Sequence, residues 1–248
     1  MKYLLPLLTL FILMSCSSDD DGDNNQGETQ ETLLLKKVFK DGELIREYEY
    51  YADNKLKSQV GPLVNDQIFE LFYEYVSDTL IVSYIKVETS SVIQTLKSYS
   101  VNNTTARTDY YSSENVLIRF DKYTFNNNIC GPIIYEHFNS NGAIITSRYF
   151  SFIDENCSVN TIYEGYGYKN STSINDNKKS VFESITSSFT RQEVMHNAVE
   201  VRVMDYNDQI VNSRSYNTEY EYNSDDYPIK ETSVFLDGSS LIYTFEYY

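Results

Sequence analysis

Residues Phe235 to Tyr247 read Phe-Leu-Asp-Gly-Ser-Ser-Leu-Ile-Tyr-Thr-Phe-Glu-Tyr. Tyr243, Phe245 and Tyr247 alternate with Thr244 and Glu246. A period of two puts the rings on one face of a strand and the polar side chains on the other. Asp237-Gly238 stands just before them, and Asp-Gly supplies the positive φ that a tight hairpin turn requires. The stretch reads as strand, turn, strand.

The same grammar runs through the body of the chain. Tyr48 and Tyr50 alternate with Glu47 and Glu49, and Tyr220 and Tyr222 with Glu219 and Glu221. Val199, Val201 and Val203 alternate with Glu200, Arg202 and Met204. Further turn signals fall at Asp41-Gly42, Asp53-Asn54, Asn102-Asn103, Asn141-Gly142, Asn207-Asp208 and Asp225-Asp226. Strands joined by such short turns must run antiparallel. The expected fold is therefore all-β, a single-domain antiparallel β-meander of repeated hairpins. Curved sheet, sandwich and barrel-like closure all remain open. Lys178 to Asn197 comes nearest to a helical face, through Val181, Ile185, Phe189 and Val194. Its β-branched content reads instead as two strands.

Composition narrows the function classes. The 248 residues carry a formal charge of −16, with 24 Tyr, 13 Phe and no Trp. Phosphate backbones need a basic face, so nucleic acid is not an expected partner. Mean hydropathy is −0.44, and a single apolar run near the start excludes a multi-span membrane protein.

That run lies between Lys2 and Ser15. As a helix, Tyr3 to Met14 would span roughly 18 Å, short of the roughly 30 Å hydrocarbon core. A cleavable export signal is the better reading. Its end, Leu13-Met14-Ser15-Cys16, resembles the lipobox of bacterial lipoproteins. The resemblance implies a signal over 1–15 and acylation of Cys16, which would tie the chain to a membrane. Residues 16–32 hold Asp19, Asp20, Asp21, Asp23 and Glu28 with nothing apolar to bury. This reads as a disordered acidic tether. The acidic run after the cysteine resembles the surface-export signal of Bacteroidetes lipoproteins. It implies an outer-membrane location on the cell surface, with the periplasmic face as the alternative. The domain proper is expected over 33–248.

A degenerate repeat underlies the hairpins. One unit is Phe39, Asp41-Gly42, Leu44, Tyr48-Glu49-Tyr50, Asp53, Leu56; its match is Phe235, Asp237-Gly238, Leu241, Phe245-Glu246-Tyr247. Tyr-Glu-Tyr recurs at Tyr73-Glu74-Tyr75 and Tyr220-Glu221-Tyr222. Tyr135-Glu136-His137-Phe138 with Asn141-Gly142 and Ile144 is a related form. This element resembles YD repeats of the Rhs type, and uncharacterised Bacteroidetes lipoproteins with YD-like β-meanders. The resemblance implies an extended or curled meander and brings no catalytic residue.

With Cys16 assigned to lipid, Cys130 and Cys157 remain. An even remainder in an exported chain favours a disulfide, against two free buried thiols. No metal site is expected, because His137 and His196 are the only histidines and do not cluster with the cysteines. Both histidines read as ordinary sheet residues, and no Gly-x-Ser-x-Gly element accompanies them. Glu47 with Glu49, and Glu219 with Glu221, could serve as a glycosidase pair. The plainer reading is a solvated sheet face. Tyrosines on one face could form a platform for glycan rings or a protein partner, or could simply fill the core. Asp78-Thr79-Leu80 resembles a Bacteroidetes O-glycosylation acceptor, which would place a sugar on Thr79. No cofactor motif appears. The expectation is a lipid-anchored envelope protein, a non-enzymatic binding or structural module for a glycan or envelope protein. A surface polysaccharide hydrolase using paired carboxylates is the alternative.

Overall fold

The computed structural model describes residues 33–64, 67–126, 130–181 and 196–248. The export signal, Cys16 and the acidic tether lie outside the described residues. The strands are β1 (Leu35–Lys40), β2 (Glu43–Tyr50), β3 (Leu56–Val64), β4 (Gln67–Val76), β5 (Thr79–Lys86), β6 (Ser91–Asn102), β7 (Thr105–Ser112) and β8 (Leu117–Thr124). They continue as β9 (Ile134–Asn139), β10 (Ile144–Phe152), β11 (Val159–Glu164), β12 (Asn170–Asn175), β13 (Ala198–Met204), β14 (Tyr216–Tyr222), β15 (Pro228–Phe235) and β16 (Ser240–Tyr247). Each pairs antiparallel with its sequence neighbours, and β1 pairs with β16 to close a barrel. Val38 lies opposite Phe245 at that seam. Closure settles the choice among curved sheet, sandwich and barrel, and each described strand has a partner on both sides.

A repeated turn explains the hairpins. In 51–55, 112–116, 139–143, 205–209, 223–227 and 235–239, the first residue's N–H donates to the fifth residue's carbonyl, and the fourth residue's N–H donates back to the first carbonyl. The fourth residue always has positive φ: Asn54, Asn115, Gly142, Asp208, Asp226 and Gly238. This is the three-residue hairpin loop that a left-handed residue closes. Asn and Asp tolerate that conformation nearly as glycine does, so Asp225-Asp226 turns without one. At Asn139, Asp205 and Asn223 the side-chain oxygen also accepts the N–H groups two and four residues on.

Alternation sorts the two walls. Tyr48, Tyr73, Leu80, Val82, Leu96, Val203 and Phe245 point inward and are buried. The outer wall carries ion pairs between neighbouring strands, such as Lys37 with Glu47, Lys57 with Glu49, Lys122 with Glu136 and Lys230 with Glu221. A lipid-facing barrel needs a continuous apolar band roughly 25 Å tall. Charges in the middle of so many strands break any such band.

The barrel is apolar at one end. Up-and-down order puts the turns 51–55 and 223–227 on the same rim as the chain's described start and its end, where the Tyr248 N–H donates to the Leu34 carbonyl. Leu35, Leu56, Leu80, Tyr48, Tyr73 and Phe245 gather toward this rim, with Val181 packed among them. Ala106, Tyr123, Phe125 and Tyr135 form a second cluster there. The Cys130–Cys157 disulfide, Cα to Cα 5.3 Å, joins the 125–133 and 153–158 connections on the same rim. These elements make a floor.

Two expectations are corrected. Lys178 to Val181 forms no strand; the rest of that stretch, to residue 195, lies outside the described residues. Side chains satisfy its backbone instead: Asp176 accepts the N–H groups of Lys178 and Asn197, and the Asn197 amide donates to the Lys179 carbonyl. His196 sits in a bend rather than a strand, and its Nδ1 donates to the Lys178 carbonyl at 3.0 Å.

Candidate functional site

The end opposite the floor is the mouth, ringed by the turns 41–42, 112–116, 139–143 and 235–239 and by the connections 165–169 and 205–215. Arg119 lies on the inner wall of β8, two residues from buried Asp121, yet it is exposed. Water therefore reaches the inner wall from this side.

The inner wall between floor and mouth is set by strand register. Asp121 of β8 faces His137 of β9, and Thr146 of β10 faces His137 in turn. Arg148 of β10 faces Tyr135 on one side and Tyr163 of β11 on the other. The His137 Nδ1–H donates to Asp121 Oδ1 at 2.6 Å, and the Tyr110 hydroxyl donates to Asp121 Oδ2 at 2.8 Å. Arg148 Nε donates to the Tyr166 hydroxyl at 2.9 Å, and Thr146 Oγ1 donates to the same oxygen at 3.2 Å. Tyr166 comes from the 165–169 connection. Gly165 starts it at φ 79°, and a Cβ there would fall 2.5 Å from the Ile145 carbonyl oxygen. Only glycine lets this connection lie so close on β10.

Burial pushes the phenols of Tyr110 and Tyr123 well up from their ordinary value. Burial also raises Tyr84, while Arg119 and Arg46 pull it back. Those two arginines, from β8 and β2, thus act electrostatically on one phenol of β5. Arg119 lies 4.2 Å from the Tyr110 ring centre, and Arg214 lies 4.9 Å from that of Tyr168.

The arginines divide by wall. On the outer wall Arg107 pairs with Asp109 and Arg202 with Glu200. Arg46, Arg119, Arg148 and Arg214, on the inner wall and mouth, form no ion pair among the described residues. The inner wall thus carries arginines beside the inward carboxylates Asp121 and Glu231, and such charged groups favour polar ligands.

The residues singled out by sequence are scattered. Glu47 and Glu49 sit on the outer wall, held by Lys37 and Lys57; Glu221 there binds Lys230 at 2.6 Å. Glu219 shares that wall. None of them faces the mouth. Thr79 opens β5 on the floor rim and is half-buried, beside fully buried Leu80. Among the described residues no group of three His, Cys, Asp or Glu could hold a metal. His137 lies on a strand, as expected, but it is bound to a buried carboxylate. Asp121, Arg148 and Tyr166 escaped sequence reasoning. The parity of Tyr135 and His137, and of Asp121 and Tyr123, was the available signal.

Fold and lining define an up-and-down antiparallel barrel, floored at one end and lined by tyrosine and arginine at the other. A crystal structure of a porin-like protein from Bacteroides uniformis shares the fold, with a TM-score of 0.55 and 11% identity over 86% of this chain and 96% of that one. A porin-like protein from Bacteroides vulgatus aligns over 87% of this chain and 99% of that one, at 9% identity and a TM-score of 0.29. No protein-family model matches the chain, and no curated protein matches it. At 11% identity the likeness is one of fold, and function must be argued from the site.

Proposed function

We propose that this chain is a lipid-anchored cup of the outer membrane, a non-enzymatic module that receives a polar ligand in its mouth. The observation that carries the reading is the contrast between the two ends. The floor is apolar and stapled by a disulfide, while the mouth presents arginines without carboxylate partners among the tyrosines. A few convergent polar groups among aromatic rings are the usual lining of a small-ligand site. The charged outer wall suits a barrel standing in water beside the bilayer, held by lipid at Cys16, rather than one spanning it.

The described chain starts on the floor rim. A tether over 16–32 would leave from there, so the mouth would face away from the membrane. The acidic run after Cys16 supports display at the cell surface, with a glycan or envelope protein as ligand. The recurring turn supports kinship with the YD-like lipoproteins of Bacteroidetes. The hydrolase reading gains no support from Glu47, Glu49, Glu219 and Glu221, which face outward.

The anchor is tested by metabolic labelling with an alkyne fatty acid. Cys16→Ala abolishes labelling and releases the chain from the membrane fraction; continued labelling refutes the anchor. Protease digestion of intact cells then separates the two sides, since a surface-displayed chain is cut without lysis. A glycan array probed with the full chain in detergent tests the mouth. Binding that survives Arg119→Ala together with Arg214→Ala would refute the mouth as the site.

A further inference from the structure

We propose that Arg148 centres an anion subsite that takes the carboxylate of an acidic sugar, a uronate. The inference deepens the cup reading and rests on it. Arg148 is only 7% exposed. Its Nε is used by Tyr166, and its Cζ lies 4.9 Å from the Tyr135 ring centre and 5.1 Å from that of Tyr166. Its two terminal amino groups have no hydrogen-bond partner among the described residues. The nearby carboxylate, Asp121, is already engaged by Tyr110 and His137.

A guanidinium cannot shed its proton, and it carries five N–H donors. Burying that charge without an anion is costly. The two terminal amino groups form a planar fork, which fits a carboxylate through two parallel hydrogen bonds. Charge balance selects the anion. One enclosed guanidinium is matched in charge by one monoanion, and its planar fork fits the two coplanar oxygens of a carboxylate. The neighbours select the rest of the ligand. Tyr163 packs on Tyr166 and Tyr168, with ring centres 5.3 and 4.6 Å away. Tyrosine offers flat apolar area beside a hydroxyl, which suits a sugar ring with its own hydroxyls. Arg214, exposed over Tyr168, places a second cation on the approach.

The test is calorimetric titration of the full chain in detergent with glucuronate, galacturonate, glucose, galactose and sodium sulfate as separate arms. A uronate should bind at least tenfold more tightly than its neutral sugar. Arg148→Gln should weaken uronate at least tenfold with the near-ultraviolet dichroism retained, Arg148→Lys should fall between, and Arg202→Gln on the outer wall should change nothing. Should Arg148→Gln not fold, exposed Arg214→Gln serves instead, with a severalfold loss expected. Wild-type affinity in a folded Arg148→Gln, or in Arg214→Gln where that variant stands in, overturns the subsite. So does sulfate binding as tight as uronate. Neutral-sugar binding indifferent to Arg148 overturns the subsite while leaving the cup reading intact; no binding in any arm counts against both.

Discussion

His137 and Asp121 meet across β8 and β9 inside the barrel, Nδ1 to Oδ1 at 2.6 Å, with the carboxylate 4% exposed. The contact fixes the imidazole tautomer, because a carboxylate accepts and the ring nitrogen must donate. It also joins three strands, since the Tyr110 hydroxyl of β7 takes the other oxygen. Asp121→Ala leaves both donors buried and unmatched. It should lower stability by about 3 kcal/mol, and Asp121→Asn should cost less. Urea unfolding followed by tyrosine fluorescence reads both, without tryptophan to obscure it.

Gly61 marks the closest approach of β2 and β3. A Cβ there would lie 2.3 Å from the Ile45 carbonyl oxygen and 3.2 Å from Arg46 Cγ. Backbone cannot yield as a flexible side chain does. Gly61→Ala should therefore cost about 2–3 kcal/mol and displace Arg46 at the mouth. Gly238→Ala meets open space at φ 88°. Its cost should be the left-handed strain alone, about 1 kcal/mol. Thermal melts of the two variants separate clash from strain.

Glu231 faces inward between Tyr220 and Tyr243, and Ser233 donates to its Oε1 at 3.0 Å. Burial raises its carboxyl pKa above the ordinary value. The folded chain thus holds this proton more tightly than the unfolded chain. Stability falls as pH rises from the unfolded value through the folded one, and the full penalty applies above it. Glu231→Gln should raise Tm by a few degrees at pH 7, on the order of 1 kcal/mol, and leave it unchanged at pH 4. An equal gain at both would place the effect in packing instead.

The tyrosines predict an alkaline limit. Burial pushes Tyr216 up to about 12, and Tyr48, Tyr73 and Tyr220 also rise. Stability should hold up to pH 10 and fall beyond it, as the unfolded chain releases protons that the folded one keeps. Absorbance at 295 nm should show this buried set ionising only together with loss of near-ultraviolet dichroism. Smooth titration of all tyrosines in a folded chain would contradict this.

Cys130 and Cys157 enclose a loop with a sequence separation of 27. Replacing both by serine should cost about 3–4 kcal/mol in the chain-entropy model. The loss should appear as a lower urea midpoint.

Much of the barrel was legible because a strand reports itself locally. Tyr-Glu-Tyr at 48–50 and 220–222 shows which rings share a face, and Asp41-Gly42 or Asn141-Gly142 shows where the chain reverses. Asp225-Asp226 shows the same logic without glycine, since Asp226 takes the left-handed conformation itself. Lys178 to Val181 was misread because its hydrogen bonds go to Asp176 and Asn197, and composition carries no sign of such partners.

The sequence by itself determined the hairpins, their antiparallel sense and the alternation of wall chemistry, since each depends on residues a few positions apart. Only the tertiary structure decided that β1 meets β16 and which apolar side chains close the floor. It also set Arg148 among tyrosines, its terminal amino groups without a hydrogen-bond partner among the described residues. Those outcomes depend on register accumulated around the whole sheet, and a shift of one residue in any pairing would turn the same side chains outward.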